Sequence, residues 1–219
     1  MNYVLISSAI HTTNTPLSYA NCRSMFTHEE RFIQTLKTIE SIRKYIPNSY
    51  IVLMEGTVLK DEYLSVFTKV VDHVHKAYEI SNVVKYVNSP HKGLGETWTI
   101  HSYLQSQHFK LNKNKINSIT KISGRYQIQE GFVFEVDNDA IMGKIVNALF
   151  TFYYTVGKNL INMYLNLYHE LITDNLLNKG GCLEYIFTDK LKERNIKIIS
   201  KDKLYVSGKC AVNTIIISG

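Results

Sequence analysis

The chain opens on an apolar run, Tyr3-Val4-Leu5-Ile6, that passes into the small residues Ser7-Ser8-Ala9 before Ile10. Consecutive apolar positions closed by small residues predict a buried strand over 3–10, with a loop following through Asn14 and Pro16. Thr27-His28-Glu29-Glu30 has capping-box spacing: the Thr27 hydroxyl can accept from the Glu30 amide while the Glu30 carboxylate accepts from the Thr27 amide. Phe32, Leu36, Ile39 and Ile42 continue at helical spacing until Pro47-Asn48 ends the element. The alternation then repeats. Tyr50 to Met54 predicts a strand, Glu55-Gly56-Thr57 a turn, 61–69 a helix and 70–78 a third strand. A loop over 89–95 leads into a helix from Glu96 to about His108, and the basic stretch 111–117 reads as a surface loop. Ile119 to Ile122 forms the next strand, ending in Ser123-Gly124-Arg125-Tyr126.

Beyond that point the pattern predicts a strand over 150–156. A long helix opens at Gly157-Lys158 and carries Leu160, Tyr164, Leu167, Leu171 and Leu176-Leu177. Gly180-Gly181 separates it from a shorter amphipathic helix with Leu183, Ile186, Phe187 and Leu191 on one face. Strand-like runs at 196–199, 204–206 and 214–217 close the chain. Alternating strands and helices predict an α/β fold: a doubly wound, mostly parallel central sheet flanked by helices, with ligands at the carboxyl ends of its strands.

At 219 residues and 45% hydrophobic, the chain suits one domain with one substantial core. Its apolar stretches are too short and too interrupted for a membrane span. The start Met1-Asn2-Tyr3 lacks a basic leader region, so a cytoplasmic protein is expected. Cys22, Cys182 and Cys210 are odd in number and far apart, and read as reduced thiols. The net charge of +6 points to anionic partners, among which nucleotides, nucleic acid and lipid head groups are all open.

In a doubly wound sheet the residues just past each strand converge on one edge. They are Ser7 to His11 (with Ser8 at the strand end), Glu55-Gly56-Thr57, the Lys92-Gly93-Leu94-Gly95-Glu96 segment, and Gly124-Arg125-Tyr126. Together they offer a carboxylate for a ribose or base edge, a basic glycine-rich segment at a helix start, and a guanidinium beside an aromatic ring. A nucleotide diphosphate calls for those groups.

Three stretches, FTHEERFIQTLKTIESIRKYIPNSYIVLMEGT, HKGLGETWTIHSYL and ITKISGRY, resemble the glycosyltransferase-like proteins of GT-A fold found in bacterial polysaccharide loci and large DNA viruses. The resemblance implies a single-domain GT-A-like (nucleotide-diphospho-sugar transferase) fold, with a nucleotide-binding half over 1–126 and an acceptor and catalytic half over 127–219. It implies a nucleotide-diphosphate sugar donor and a glycan or glycolipid acceptor. Glu55-Gly56-Thr57 stands where such proteins carry an Asp-Gly-Ser turn holding the nucleoside, and Gly180-Gly181-Cys182-Leu183-Glu184 resembles the region before their acidic catalytic helix. The chain departs from them at the fourth strand, where Ser123-Gly124-Arg125-Tyr126 replaces the metal-binding Asp-x-Asp. Arg125 can stabilise a leaving diphosphate as a fixed cation. Asp137 and Asp139 form a displaced Asp-x-Asp, so Mn²⁺ or Mg²⁺ stays a possible cofactor.

Each of these residues also has a plainer reading. Glu184 is either the general base that deprotonates an acceptor hydroxyl or an acid favoured by a helix N-terminus. The Lys92 to Glu96 segment is a phosphate loop or an ordinary turn, and Arg125 and Tyr126 are ligand contacts or structural groups. His73 and His75 share a strand face but lack an evident third metal ligand; Tyr153-Tyr154, Tyr164 and Tyr168 read as core. The basic 110–115 segment has no interleaved aromatics, which speaks against nucleic acid. The missing Asp-x-Asp leaves a second possibility open, a transferase-like module that binds glycan or nucleotide without turnover.

Overall fold

The computed structural model describes residues 1–209 and 216–218. Cys210 and the first part of the strand expected at 214–217 lie outside the described residues. The strands are β1 (Asn2–Ser8), β2 (Tyr50–Glu55), β3 (His73–Lys76), β4 (Ser118–Ser123), β5 (Tyr126–Ile128), β6 (Ala140–Ile145), β7 (Leu149–Gly157), β8 (Lys197–Ser200), β9 (Val206–Lys209) and β10 (Ile216–Ser218). The helices are α1 (His28–Tyr45), α2 (Asp61–Val70), α3 (Ser81–Val87), α4 (Lys92–Leu104), α5 (Gln107–Asn112), α6 (Ile161–Thr173), α7 (Asn175–Asn178) and α8 (Leu183–Glu193).

Seven strands form the central sheet in the order β3-β2-β1-β4-β7-β6-β8, and β10-β9-β5 form a smaller one. β1 pairs in parallel with both β2 and β4, and β2 with β3, while β7 runs antiparallel to β4 and β6. The α/β fold with a mostly parallel sheet flanked by helices is therefore as the pattern predicts. The order reverses between β1 and β4, which opens a crevice at their carboxyl ends. Because β7 is antiparallel, its first residues, not its last, reach that same edge.

Alternation along β1 explains why a continuous apolar run is needed: Tyr3 and Leu5 pack on α4, α6 and α8 through Ile100, Tyr164 and Phe187, and Val4 and Ile6 pack on α1 and α2 through Ile39, Ile42 and Phe67. Each such side chain contributes about 1.5–3 kcal/mol on burial. The capping box of α1 is present, with the Glu30 amide 3.1 Å from Thr27 Oγ1 and the Thr27 amide 2.8 Å from Glu30 Oε2. Tyr154 lies in the core with its hydroxyl 2.8 Å from that of Tyr164 and 2.7 Å from that of Tyr168.

Several elements differ from the sequence pattern. The helix expected at Glu96 starts one turn earlier, at Lys92, so Gly93 and Gly95 lie inside it. A Cβ on Gly95 would stand 2.8 Å from Tyr86 O and from Val87 Cα, and one on Gly93 3.0 Å from Leu183 Cβ. The two glycines let α4 approach α3 and α8, a packing reason that sequence alone renders as a loop. The strand expected over 70–78 shortens to His73–Lys76, and α3 follows over a stretch that the pattern left unassigned. The segment 111–117 is partly helical, β6 is unanticipated, and the long helix is interrupted at Asp174, whose carboxylate caps α7. No helix among the described residues is long and apolar enough to cross a membrane.

Candidate functional site

A cavity of about 330 Å³ occupies the crevice at the carboxyl ends of β1 and β4. Ser7 to Ile10 and Ser123 to Tyr126 supply its floor, α1 gives Arg31 and Thr35, and the loop before α1 gives Arg23. One face of α4 contributes Lys92, Gly95, Glu96 and Thr99, at the i, i+3, i+4, i+7 spacing of a single helical stripe. The start of β7 adds Phe150, Thr151 and Phe152, and the first turn of α8 adds Glu184.

Of the residues singled out from sequence, Ser8, Lys92, Gly95, Glu96, Gly124, Arg125, Tyr126 and Glu184 are thus brought together. Gly93 and Glu55 are not among the lining residues. Glu55 is fully buried at the end of β2. Its Oε1 accepts from the amides of Ile10 and Thr57, both at 3.0 Å, and from the Thr57 hydroxyl. Burial pushes its pKa up, and hydrogen bonding from Thr57, Ser8 and the Ile10 amide opposes the shift. The carboxylate ties the loop after β1 to the turn after β2, and so shapes the cavity floor from behind.

Arg23, Arg31 and Arg125 come from three different segments. Arg23 donates to the carbonyls of Thr15 at 3.1 Å, Val87 at 2.8 Å and Ser89, clamping its loop against α3. Arg31 donates to Ala9 O at 2.7 Å and Ser24 Oγ at 2.9 Å. Arg125 is half-buried. Among the described residues none of the three forms a salt bridge. Burial, and next the neighbouring Arg125 charge, lower the Arg31 pKa to about 9, with Glu55 acting the other way. A buried cation without an ion-pair partner is costly, and an anion entering the cavity offsets that cost.

Glu96 answers to a different set of neighbours. Its Oε1 accepts from Ser7 Oγ at 2.8 Å and Ser123 Oγ at 3.3 Å, and is ion-paired with Lys121 of β4. Burial pushes its pKa up, but Lys121 and then Lys92 outweigh burial and bring it down to about 2. Glu184 accepts from Thr151 Oγ1 at 2.6 Å and from Cys182 Sγ at 3.2 Å. Burial, then the Glu184 carboxylate, raise the Cys182 thiol pKa, which keeps it a donor. Gly180, at φ 89°, makes the left-handed turn that delivers α8 and Glu184 to the cavity. Tyr126 stacks on Phe152 at 4.5 Å between ring centroids, and Phe150 lies 5.2 Å from Phe152, giving one wall an apolar face.

Among the described residues the cavity's donor set does not suit a divalent cation. The cavity's two carboxylates stand among Arg23, Arg31, Lys92 and Arg125, and one of them is already ion-paired with Lys121. Asp137 and Asp139 lie elsewhere: Asp137 is 2.8 Å from Lys197 Nζ and also accepts from the Asp139 amide, and Asp139 accepts from Asn159 at 2.7 Å. Among the described residues no group of three or more His, Cys, Asp or Glu is arranged to hold a metal. His75 bonds Ser102 Oγ at 2.9 Å and His73 stacks on His108.

Arg23, Arg31 and Lys121 escape a motif search. Two signals were present: Lys121 interrupts an apolar strand run where water cannot follow, and Arg31 lies on the stripe of Thr35, Thr38 and Ile42 that α1 buries.

No family model matches the sequence, and no curated protein matches it. Among solved structures the chain aligns with a glycosyltransferase involved in the glycosylation of the major capsid of PBCV-1. The alignment covers 92% of this chain and 82% of that one, at 11% identity and a TM-score of 0.47. A likeness that low carries no argument about activity.

Proposed function

We propose that the chain is a glycosyltransferase that moves a sugar from a nucleotide-diphosphate donor to a hydroxyl of a glycan or glycolipid acceptor. The observation that carries this reading is the arginine trio: Arg23, Arg31 and Arg125 share one cavity at the switch point of a doubly wound sheet, and among the described residues no carboxylate is salt-bridged to any of them. A diphosphate can accept from the Arg125 fork and from the N–H groups of Arg23 and Arg31 that are not spent on Thr15, Val87, Ser89, Ala9 and Ser24. With Lys92 at the cavity edge, these cations stabilise the charge that develops on the departing diphosphate, a role that needs no divalent ion. Ser8, Gly124 and Tyr126 border the diphosphate and nucleoside space. Glu184, oriented by Thr151, takes the proton from the acceptor hydroxyl as that oxygen attacks the anomeric carbon. Glu55 supports the floor from behind.

Calorimetry against the four ribonucleoside diphosphates in EDTA tests the donor site. Binding by the parent, weakened about tenfold or more in Arg125→Lys, supports it, because Lys keeps the charge but loses the bidentate fork. Absence of binding by every diphosphate overturns it. Binding without product in a donor screen favours a transferase-like binding module.

A further inference from the structure

Lys121 sits in a strand covered by helices on both faces, and its side chain is 1% exposed. Such an ammonium persists only if it is paired and fully hydrogen-bonded. It has Glu96 as its ion partner, Ser123 Oγ at 2.8 Å and the carbonyl of Thr151. All the hydrogen bonds that Glu96 accepts fall on Oε1, and among the described residues none reaches Oε2. The Glu96 side chain is 17% exposed and borders the cavity. Among the described residues, one oxygen is therefore locked into the protein while the other accepts no hydrogen bond, on a side chain that lines the cavity.

We infer that Glu96 is the hydroxyl anchor of the cavity, with Oε1 fixed by Ser7, Ser123 and Lys121 and Oε2 accepting from a vicinal diol of the bound ligand. This rests on reading the cavity as a donor site. A carboxylate facing an anionic ligand cannot be placed against phosphate, so it faces the ligand's neutral donors, and in a nucleotide sugar these are chiefly hydroxyls. It is also unsuited to act as the base, since Lys121 and Lys92 hold it ionised far below neutral pH and a weakly basic carboxylate is a poor proton acceptor. Lys121 never meets the ligand and is a positioning residue. The diol belongs either to the ribose or to the transferred sugar.

Calorimetry on the full chain separates these. The probes are UDP, GDP, ADP and CDP, their 2′-deoxy counterparts, and UDP-glucose and GDP-mannose. If the ribose is the source, the parent loses about ten- to a hundredfold in affinity on 2′-deoxygenation and Glu96→Gln loses less than threefold. If the sugar is the source, the affinity gained by adding the sugar to the diphosphate shrinks by that factor in Glu96→Gln. Should Glu96→Gln fail to fold because Lys121 is left unpaired, Glu96→Gln with Lys121→Met removes the buried charge and is read in the same way. Equal hydroxyl sensitivity in parent and variant overturns the hydroxyl anchor while leaving the donor site standing, as does a variant that changes only which base is preferred. Failure of every diphosphate to bind the parent removes the donor site, and the anchor with it.

Discussion

Replacing Glu55 distinguishes a residue that touches ligand from one that holds the floor beneath it. The carboxylate has no exposed surface, and Glu55→Ala strands the amides of Ile10 and Thr57, which donate to it at 3.0 Å. Each orphaned buried donor costs about 1–3 kcal/mol, so the pair sets a loss of about 2–6 kcal/mol before relaxation. For a domain of this size each kcal/mol lowers Tm by about 2–4 °C, giving an expected fall of about 4–24 °C. Glu55→Gln keeps an oxygen that accepts from both amides, and because burial already favours the neutral carboxyl, it should lower Tm by only a few degrees. Thermal unfolding measures the first effect and calorimetry with nucleoside diphosphates the second, where Glu55→Gln is expected to stay within threefold of the parent. Unchanged stability together with a tenfold or greater loss of affinity in Glu55→Gln would refute this account and return Glu55 to the nucleoside.

Glu184→Gln is expected to bind donor within threefold of the parent and to lose about 10²–10⁴ in turnover, measured by product formation under saturating donor; turnover within a few-fold would leave Glu184 as a helix-terminus acid. Around His73, His75 and His108, burial and then neighbouring histidine charge lower His73 and His75 to about 4, and burial lowers His108. The unfolded chain then binds more protons than the folded one below about pH 6.5, so stability is complete above that pH and falls as pH drops toward 4. Urea unfolding across that window should show the loss in the parent and a weaker loss in His75→Gln; identical profiles would contradict it.

The sheet was legible from sequence wherever burial on both faces forces an uninterrupted apolar run, as in β1, β2 and β4, and α1 was legible from its capping box. Elements were missed where local preference and tertiary packing disagree. Gly93 and Gly95 read as a loop, yet they permit the close approach of α4 to α3 and α8. Ser81 to Val87 is rich in β-branched residues but is helical against Ala77 and Trp98. The site followed the same division. The strand-end residues could be placed at one edge from topology alone, whereas Arg23 lies in a loop without pattern, and the positions of Arg31 and Lys121 depend on what packs around them. Glu55 stands at the right strand end, but its side chain turns inward to the Ile10 and Thr57 amides, which a linear sequence cannot record.

On the proposed function, this cavity binds a nucleotide-diphosphate sugar and releases the diphosphate on fixed guanidinium charge. The most direct test is nucleoside diphosphate release from a panel of nucleotide sugars, followed by mass spectrometry in EDTA, for the parent and Arg125→Lys. The account predicts release from at least one donor that survives chelation and falls about tenfold or more in Arg125→Lys. No release and no binding across the panel would contradict it, as would activity abolished by EDTA and restored by Mn²⁺ or Mg²⁺.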